Sequence, residues 1–443
     1  MKIRTKRIFS RIAIVFLALI VLILAARAIL TYTTGKKLES AVSRLRTEGK
    51  RLSLGELEPN CADEDNAALL WKGIEDVFIG DFDNAATINQ PFAELFNGRP
   101  LSAEAKKLIE AASLKNQKAF ELLRASAGKP CFKYNTQWQD VSRIEFPDAV
   151  KILRCQRLFL LSLILDAEGG NAGRALDGCL DGLRSAHLFL GEPFLINRLV
   201  ALALLRHQML ALNTIVRSDG IDPERLDYLL LLLESIPLRA TFPSILEWER
   251  VISLGFYDII IRQNEDIIET PFPVINSSLS WLLRPLVNGE ALYSLGLWEL
   301  VEPAFRLPYY ESKEVRKQHK RRIEDIPWRY RMIGYLVPNF SATFVKETDR
   351  EADLAVARIG LACRIFKHRH GRLPENLAEL SPDILKDIPI DPYTGASLIY
   401  KKSEDGFIVY SIGSNEKDDG GRETWMRYAE VMEKDDDIAW KDN

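Results

Sequence analysis

DAVKILRCQRLFLLSLILDAEGGNAGRALDGCLDGLRSAHLFLGE, residues 148–192, decides the fold class. Leu, Ile and Phe crowd Asp148–Glu168 without strand-like alternation, and Gly169-Gly170 stops the run. A second helical run, Asn171–Leu190, stops at Gly191. Phe194–Ser218 follows and ends near Gly220, then Asp222–Ser235 ends at Pro237. Helices of this length joined by Gly-rich turns predict stacked α-hairpins. No repeat period or consensus accompanies them, so tetratricopeptide repeats are not indicated. Toward the N-terminus, Ala62–Val77 opens with Asp63, Glu64 and Asp65, which suit the positive end of a helix dipole. Ser102–Ala125 reads as one helix, with Ser102 at the cap and Leu108, Ile109, Ala112, Ala119, Leu122 and Leu123 at helical spacing. Beyond Pro237, the stretch 269–338 is less regular and rich in Pro and aromatic residues. It contains a basic run, KEVRKQHKRR (313–322), which reads either as a patch for phosphate or an acidic partner or as a solvated helix face or loop.

The N-terminus is basic (Lys2, Arg4, Lys6, Arg7, Arg11), and an apolar run follows from Ile12 to about Tyr32, interrupted by Arg27. About 20 residues span a bilayer core, so residues 12–32 predict a transmembrane anchor. Leu38–Thr47 continues it outward as helix. The basic residues ahead of the run outnumber Lys36 and Lys37 behind it. The positive-inside rule therefore leaves residues 1–11 in the cytoplasm and the bulk across the membrane. The expected location is the inner membrane, single-pass, with a periplasmic or extracellular body. The competing reading is a cleaved signal peptide, with Ala26-Arg27-Ala28 imitating a cleavage site; the run is longer than such a peptide needs.

The chain has 443 residues, which exceeds one ordinary domain, and its formal net charge of −3 offers no basic field for nucleic acid. Its five cysteines form no CxxC pair. Cys61 and Cys131 lie in loop-like sequence and could form a disulfide in an oxidising compartment, or could remain free thiols. Cys155, Cys179 and Cys363 sit in helical patterns, as small buried hydrophobes do.

After a helical domain at 33–339, residues 340–443 change character. Ser341–His370 reads as one long helix with Ala352, Ala355, Ile359, Ala362, Cys363 and Phe366 on one stripe, closed by Gly371. GRLPENLAEL follows, then DIPIDPYTGASLIY and GFIVYSIG, a turn and two short strands. The order of Leu373, Pro374, Asp391, Pro392, Tyr393, Gly395, Tyr400, Tyr410, Ser411, Gly413, Asp437, Ile438 and Trp440 resembles the globular end of the major pseudopilins, the type II secretion protein G family. The resemblance implies a small α+β module: a long helix and a short antiparallel sheet. It also implies one calcium ion in the loop after YSIG. Here the candidate ligands are Ser414, Asn415, Asp418, Asp419, Asp436 and Asp437, oxygen donors of the kind calcium takes. The competing reading is an acidic, solvated tail. The chain departs from the family by an insert at Arg422–Asp435 and by lacking the Gly and Glu of a prepilin-peptidase site before its apolar run.

No HExxH, GxSxG, P-loop or GxGxxG is present. His368 and His370 are two apart and face different ways on a helix. Glu247, Glu249 and the Glu265–Glu269 group could supply a catalytic carboxylate pair or an ion-paired face. Arg154, Arg157, Arg184, Arg198 and Arg206 either line a groove for an acidic peptide or glycan, or pair with nearby acids. The expected function is a non-enzymatic envelope scaffold with a protein partner, tied to secretion- or pilus-like assemblies. The alternative is an envelope hydrolase with its site near Trp248 or within Trp281–Tyr310.

Overall fold

An unbroken helix, α1 (Lys2–Thr47), carries the apolar run and continues past it without a break. The computed structural model describes residues 2–139, 141–218, 220–262, 277–330, 333, 340–404, 406–422 and 437–442. Among these the chain is mainly helical, with one small antiparallel sheet. Three stretches are long and apolar enough to cross a membrane: Arg11–Thr47, Leu195–Ile215 and Pro223–Ile260. None of the apolar window of the first is buried inside the protein, whereas most of the second is. The third is divided between two helices that end and begin around Pro237.

The first body helices are α2 (Ala67–Val77), α3 (Gln90–Phe96), α4 (Ala103–Lys115) and α5 (Gln117–Ser126). Ser102 caps α4 through the Ala105 amide, as its sequence position predicts. The expected single helix over Ser102–Ala125 instead breaks at Asn116. That buried amide bonds the Ile79 backbone on both sides, accepting from Ile79 N and donating to Ile79 O. Tying the chain after α2 to the α4–α5 junction is a long-range demand that helical spacing does not reveal. A disulfide between Cys61 and Cys131, Cα atoms 5.9 Å apart, ties the chain at the other end of α2, where Ala67 N donates to Cys131 O.

α6 (Ala149–Glu168), α7 (Ala172–Phe189) and α8 (Leu195–Ile215) pack against one another as the opening sequence implies. α9 (Pro223–Glu234) and α10 (Leu238–Arg262) follow. The stretch read as irregular then contains a long helix, α11 (Ser277–Ala304), which runs through Pro285 and Pro303. Each proline removes one helical hydrogen bond. Packing against α1 on one side and α10 on the other holds the helix regardless. The basic run forms α12 (Lys313–Glu324).

The stem helix (Phe340–His370) packs against α8, α9, α10 and the sheet. Its stripe of Ala352, Ile359, Ala362, Cys363 and Phe366 is buried in one core that contains residues of the helical stretch and of the sheet. Strands β1 (Ile399–Lys402), β2 (Phe407–Ser411) and β3 (Ile438–Asp442) lie in that order, antiparallel, with Val409 opposite Tyr400 and Trp440. Trp440 lies so close over Gly360 that a Cβ there would come within 2.4 Å of the indole.

The acidic segment KETDREAD (346–353) enters the body against arginines. Arg198, fully buried, meets Glu347 through two bonds of 2.5 and 3.0 Å. Its remaining donors go to Leu190 O, Leu238 O and Thr241 Oγ1. Arg206 pairs with Asp353 at 2.6 Å, and Arg239 with Glu351. Removing one partner of a buried pair strands the other in low dielectric. Arg198→Ala is therefore expected to lower stability by roughly 3–5 kcal/mol, read from urea unfolding of the full chain in detergent. A loss under about 1 kcal/mol, typical of exposed pairs, would contradict this account.

Candidate functional site

The C-terminal motif residues converge on Asp391. Its carboxylate accepts from Tyr393 N at 2.8 Å, Ser411 Oγ at 2.8 Å and Ile412 N at 3.1 Å. One buried carboxylate thus joins the DPYTG turn to the end of YSIG. The loop that follows turns through Glu416, whose φ is 56°, and Gly420 and Gly421. Asn415 donates to Asp419 at 2.8 Å and accepts from Lys417 N. Asp418 accepts from Tyr410 OH and Gly420 N, both at 2.9 Å. Asp437, buried, accepts from Gly421 N at 2.6 Å. Burial, together with the charges of Asp419 and Asp418, pushes Asp437 up to about 6, against the bonds donated by Gly421 and Asp419. Asp419 and Asp418 thus act on Asp437 through their charges, with Ser414 and Asn415 in the same loop; Asp436 lies outside the described residues. Among the described residues, no group of three or more His, Cys, Asp or Glu side chains forms a metal cage.

A cleft of about 610 Å³ opens beside this module, between α8, the stem helix and β3. Arg206, Asn213, Arg217, Arg422, Trp440 and Lys441 are among its walls, with Asp353 as the one acidic side chain among the described residues. Asp353 already holds Arg206 and Arg350. Arg217 bonds the Asn213 carbonyl at 3.1 Å. Burial pushes it below the usual arginine range, opposed by the charge of Asp442 and reinforced by that of Arg364. The excess of cations suits an anionic group. Nothing in the local sequence marks Arg217; only the folded chain sets it opposite Lys441.

The regions named for a hydrolase are otherwise engaged. Trp248 packs against Trp138 and Phe194, with ring centroids 5.2 and 5.7 Å away. Burial raises Glu247, but bonds from Arg51 and the charge of Arg250 hold it below the usual carboxylate range. Glu249 is turned inward, where it accepts from Leu195 N at 2.8 Å, and burial pushes it up to about 7. Glu192, missed at the sequence level, accepts from Tyr134 N and Asn197 and is also pushed by burial to about 7. Glu249 meets an amide at the head of α8, so it serves as a cap delivered from another helix. A second cleft, of about 380 Å³, contains Glu299 and Glu302 of the aromatic stretch. Arg44 pairs with the first, and Lys50 and Arg250 with the second. The Glu265–Glu269 group lies outside the described residues.

The other candidates resolve similarly. Arg184 bonds Asp181 and Tyr228, and Arg157 bonds His207 and Asn89. In the basic run, Lys313 pairs with Glu416, and Arg316 lies 3.6 Å from the Tyr309 ring centroid. His370 stacks on Phe366. No protein-family model, curated protein or solved structure matches this chain.

The raised carboxyl groups have a pH consequence. Glu249 binds its proton more tightly folded, near 7, than unfolded, near 4.5. Its contribution to stability is therefore complete below about pH 4.5 and is lost as pH rises through about 7. Glu249→Gln is expected to flatten that decline by roughly 3 kcal/mol. Unfolding free energies measured across this range would reveal it; an unchanged slope would contradict it.

Proposed function

We propose that this protein is a single-pass membrane-anchored scaffold of the cell envelope, without catalytic activity. Residues 1–11 lie in the cytoplasm, residues 12–32 cross the inner membrane, and the body stands in the periplasm or outside the cell. There it binds a protein partner in a secretion- or pilus-like assembly. The observation that carries the reading is α1: its inner half is apolar and uncovered, and its outer half is packed along the body. The Cys61–Cys131 disulfide supports an oxidising compartment. The cation-lined cleft is the face best suited to an acidic partner segment. The hydrolase reading is disfavoured because, among the described residues, its candidate carboxylates are ion-paired or serve as a cap.

Protease added to spheroplasts expressing the full chain is expected to digest the body and spare an N-terminal tag. Alkylation before reduction should find Cys61 and Cys131 protected. A body digested only after the membrane is opened would overturn the orientation. Release of product from wall polymer or peptide by the purified chain would overturn the non-catalytic reading.

The resemblance to pseudopilins supports a calcium ion in the 413–421 loop. The observation favouring it is the repulsion of Asp437 by the charges of Asp419 and Asp418, which a cation would relieve. Calorimetric titration of the full chain should then show calcium binding that weakens below about pH 6 and is lost in Asp437→Asn. No heat and no rise in thermal midpoint at millimolar calcium would exclude it.

A further inference from the structure

We infer that the head of α11 is a second membrane contact, immersed in the lipid interface beside the anchor. The inference rests on the reading of α1 as a membrane span. Its own basis is the register between the two helices. Arg27 meets Trp281, Thr34 meets Asn288, Arg44 meets Glu299, and Lys50 meets Glu302. The two sequences advance together, so α1 and α11 run parallel and each level of α11 has a known depth along the anchor. Leu38 packs with Val287 and Ala291 between the polar pairs, confirming continuous contact.

This register sets Trp281 level with Arg27, five residues inside the end of the apolar run at Tyr32. At 1.5 Å per residue that is about 7.5 Å toward the bilayer centre, the depth of the headgroup–acyl boundary. The side chains of α11 at this level suit that place. Trp281, Leu282 and Leu286 are 47%, 46% and 40% exposed, close together on the head of one helix. Tryptophan favours the interface. Such large apolar side chains side by side are ill suited to water.

The same contact answers a second question, how a charge is tolerated inside the anchor. The Arg27 guanidinium lies 3.5 Å from the Trp281 ring centroid, and its Nε donates to the Trp281 carbonyl at 3.2 Å. α11 thus supplies the cation with a π face and an acceptor where water is scarce. Further out, where lipid ends, the pairing between the helices changes to the ion pairs of Arg44 and Lys50. The occupant of the exposed face is therefore lipid of the membrane that holds α1. The α1–α11 pair is a two-helix foot that fixes the body's tilt.

The test uses the full chain in lipid vesicles with a polarity-sensitive fluorophore on a single introduced cysteine. Cys155, Cys179 and Cys363 are buried and Cys61–Cys131 is bridged, so the unsubstituted protein is the blank for labelling. Labels go at Leu282→Cys and, separately, Leu286→Cys. Leu22→Cys reports the anchor, and Leu231→Cys on α9 reports water; both positions are exposed. Nitroxides are placed near the top or the end of the lipid acyl chain. Blue-shifted emission at 282 and 286, quenched more by the shallow nitroxide, supports the inference, with 231 unshifted and unquenched. Quenching at 22 with 282 and 286 behaving like 231 overturns it while leaving the anchor intact. No quenching at 22 overturns the anchor itself, and with it the inference.

Discussion

The structure depends on one polar constraint, the clamp of Arg198 on Glu347. A guanidinium with no solvent exposure must spend its donors inside the protein, and the stem helix supplies the carboxylate they need. Arg206–Asp353 and Arg239–Glu351 repeat the arrangement at the next turns. On the outer side, Arg358 and Arg369 of the stem bond Glu234 and Asp227 of α9. These pairs fix rotation and height together, because a shift of one residue would leave several buried charges without partners. Apolar contacts alone would tolerate such a slip far better.

Fixing the stem helix positions everything beyond it. Trp440 of β3 rests on Gly360, and Tyr393 reaches Asp349 at 2.5 Å, so both the sheet and the DPYTG turn are held by stem residues. Asp391 then locks the turn to the end of β2. The cationic cleft is a consequence: Arg217 comes from α8 and Lys441 from β3, and their separation is set by how the stem seats between them. A second set of pairs, along α1 and α11, carries position from the body to the apolar run of α1. The molecule is thus braced from the sheet to the long apolar N-terminal helix through polar contacts embedded in an apolar frame.

Several features were legible locally. The Gly169-Gly170 and Gly191 stops, the Ser102 cap, the long stem helix and the two short strands before the insert all follow from nearest-neighbour chemistry. The break at Asn116 and the helix through Pro285 do not. In each case a distant segment, Ile79 or the flanking α1 and α10, decides between local alternatives of similar energy. The arginines of α6–α8 were visible as charges in apolar helices, but whether they faced a groove or an acid depended on residues about 150 positions away, such as Glu347 and Asp353.

By itself the sequence determined the class, mainly helical with a small sheet, and a first helix long and apolar enough to span a membrane. Periodicity, glycine stops and apolar run length act over a few residues and need no knowledge of the rest. Only the tertiary structure decided which charges are satisfied and which remain available. It sends Glu249 inward as a cap, gathers Arg217 and Lys441 on one cleft, and lays Trp281 against Arg27. Electrostatic and packing energies depend on distance in space, and the chain brings these residues together only after tens to hundreds of intervening positions have folded.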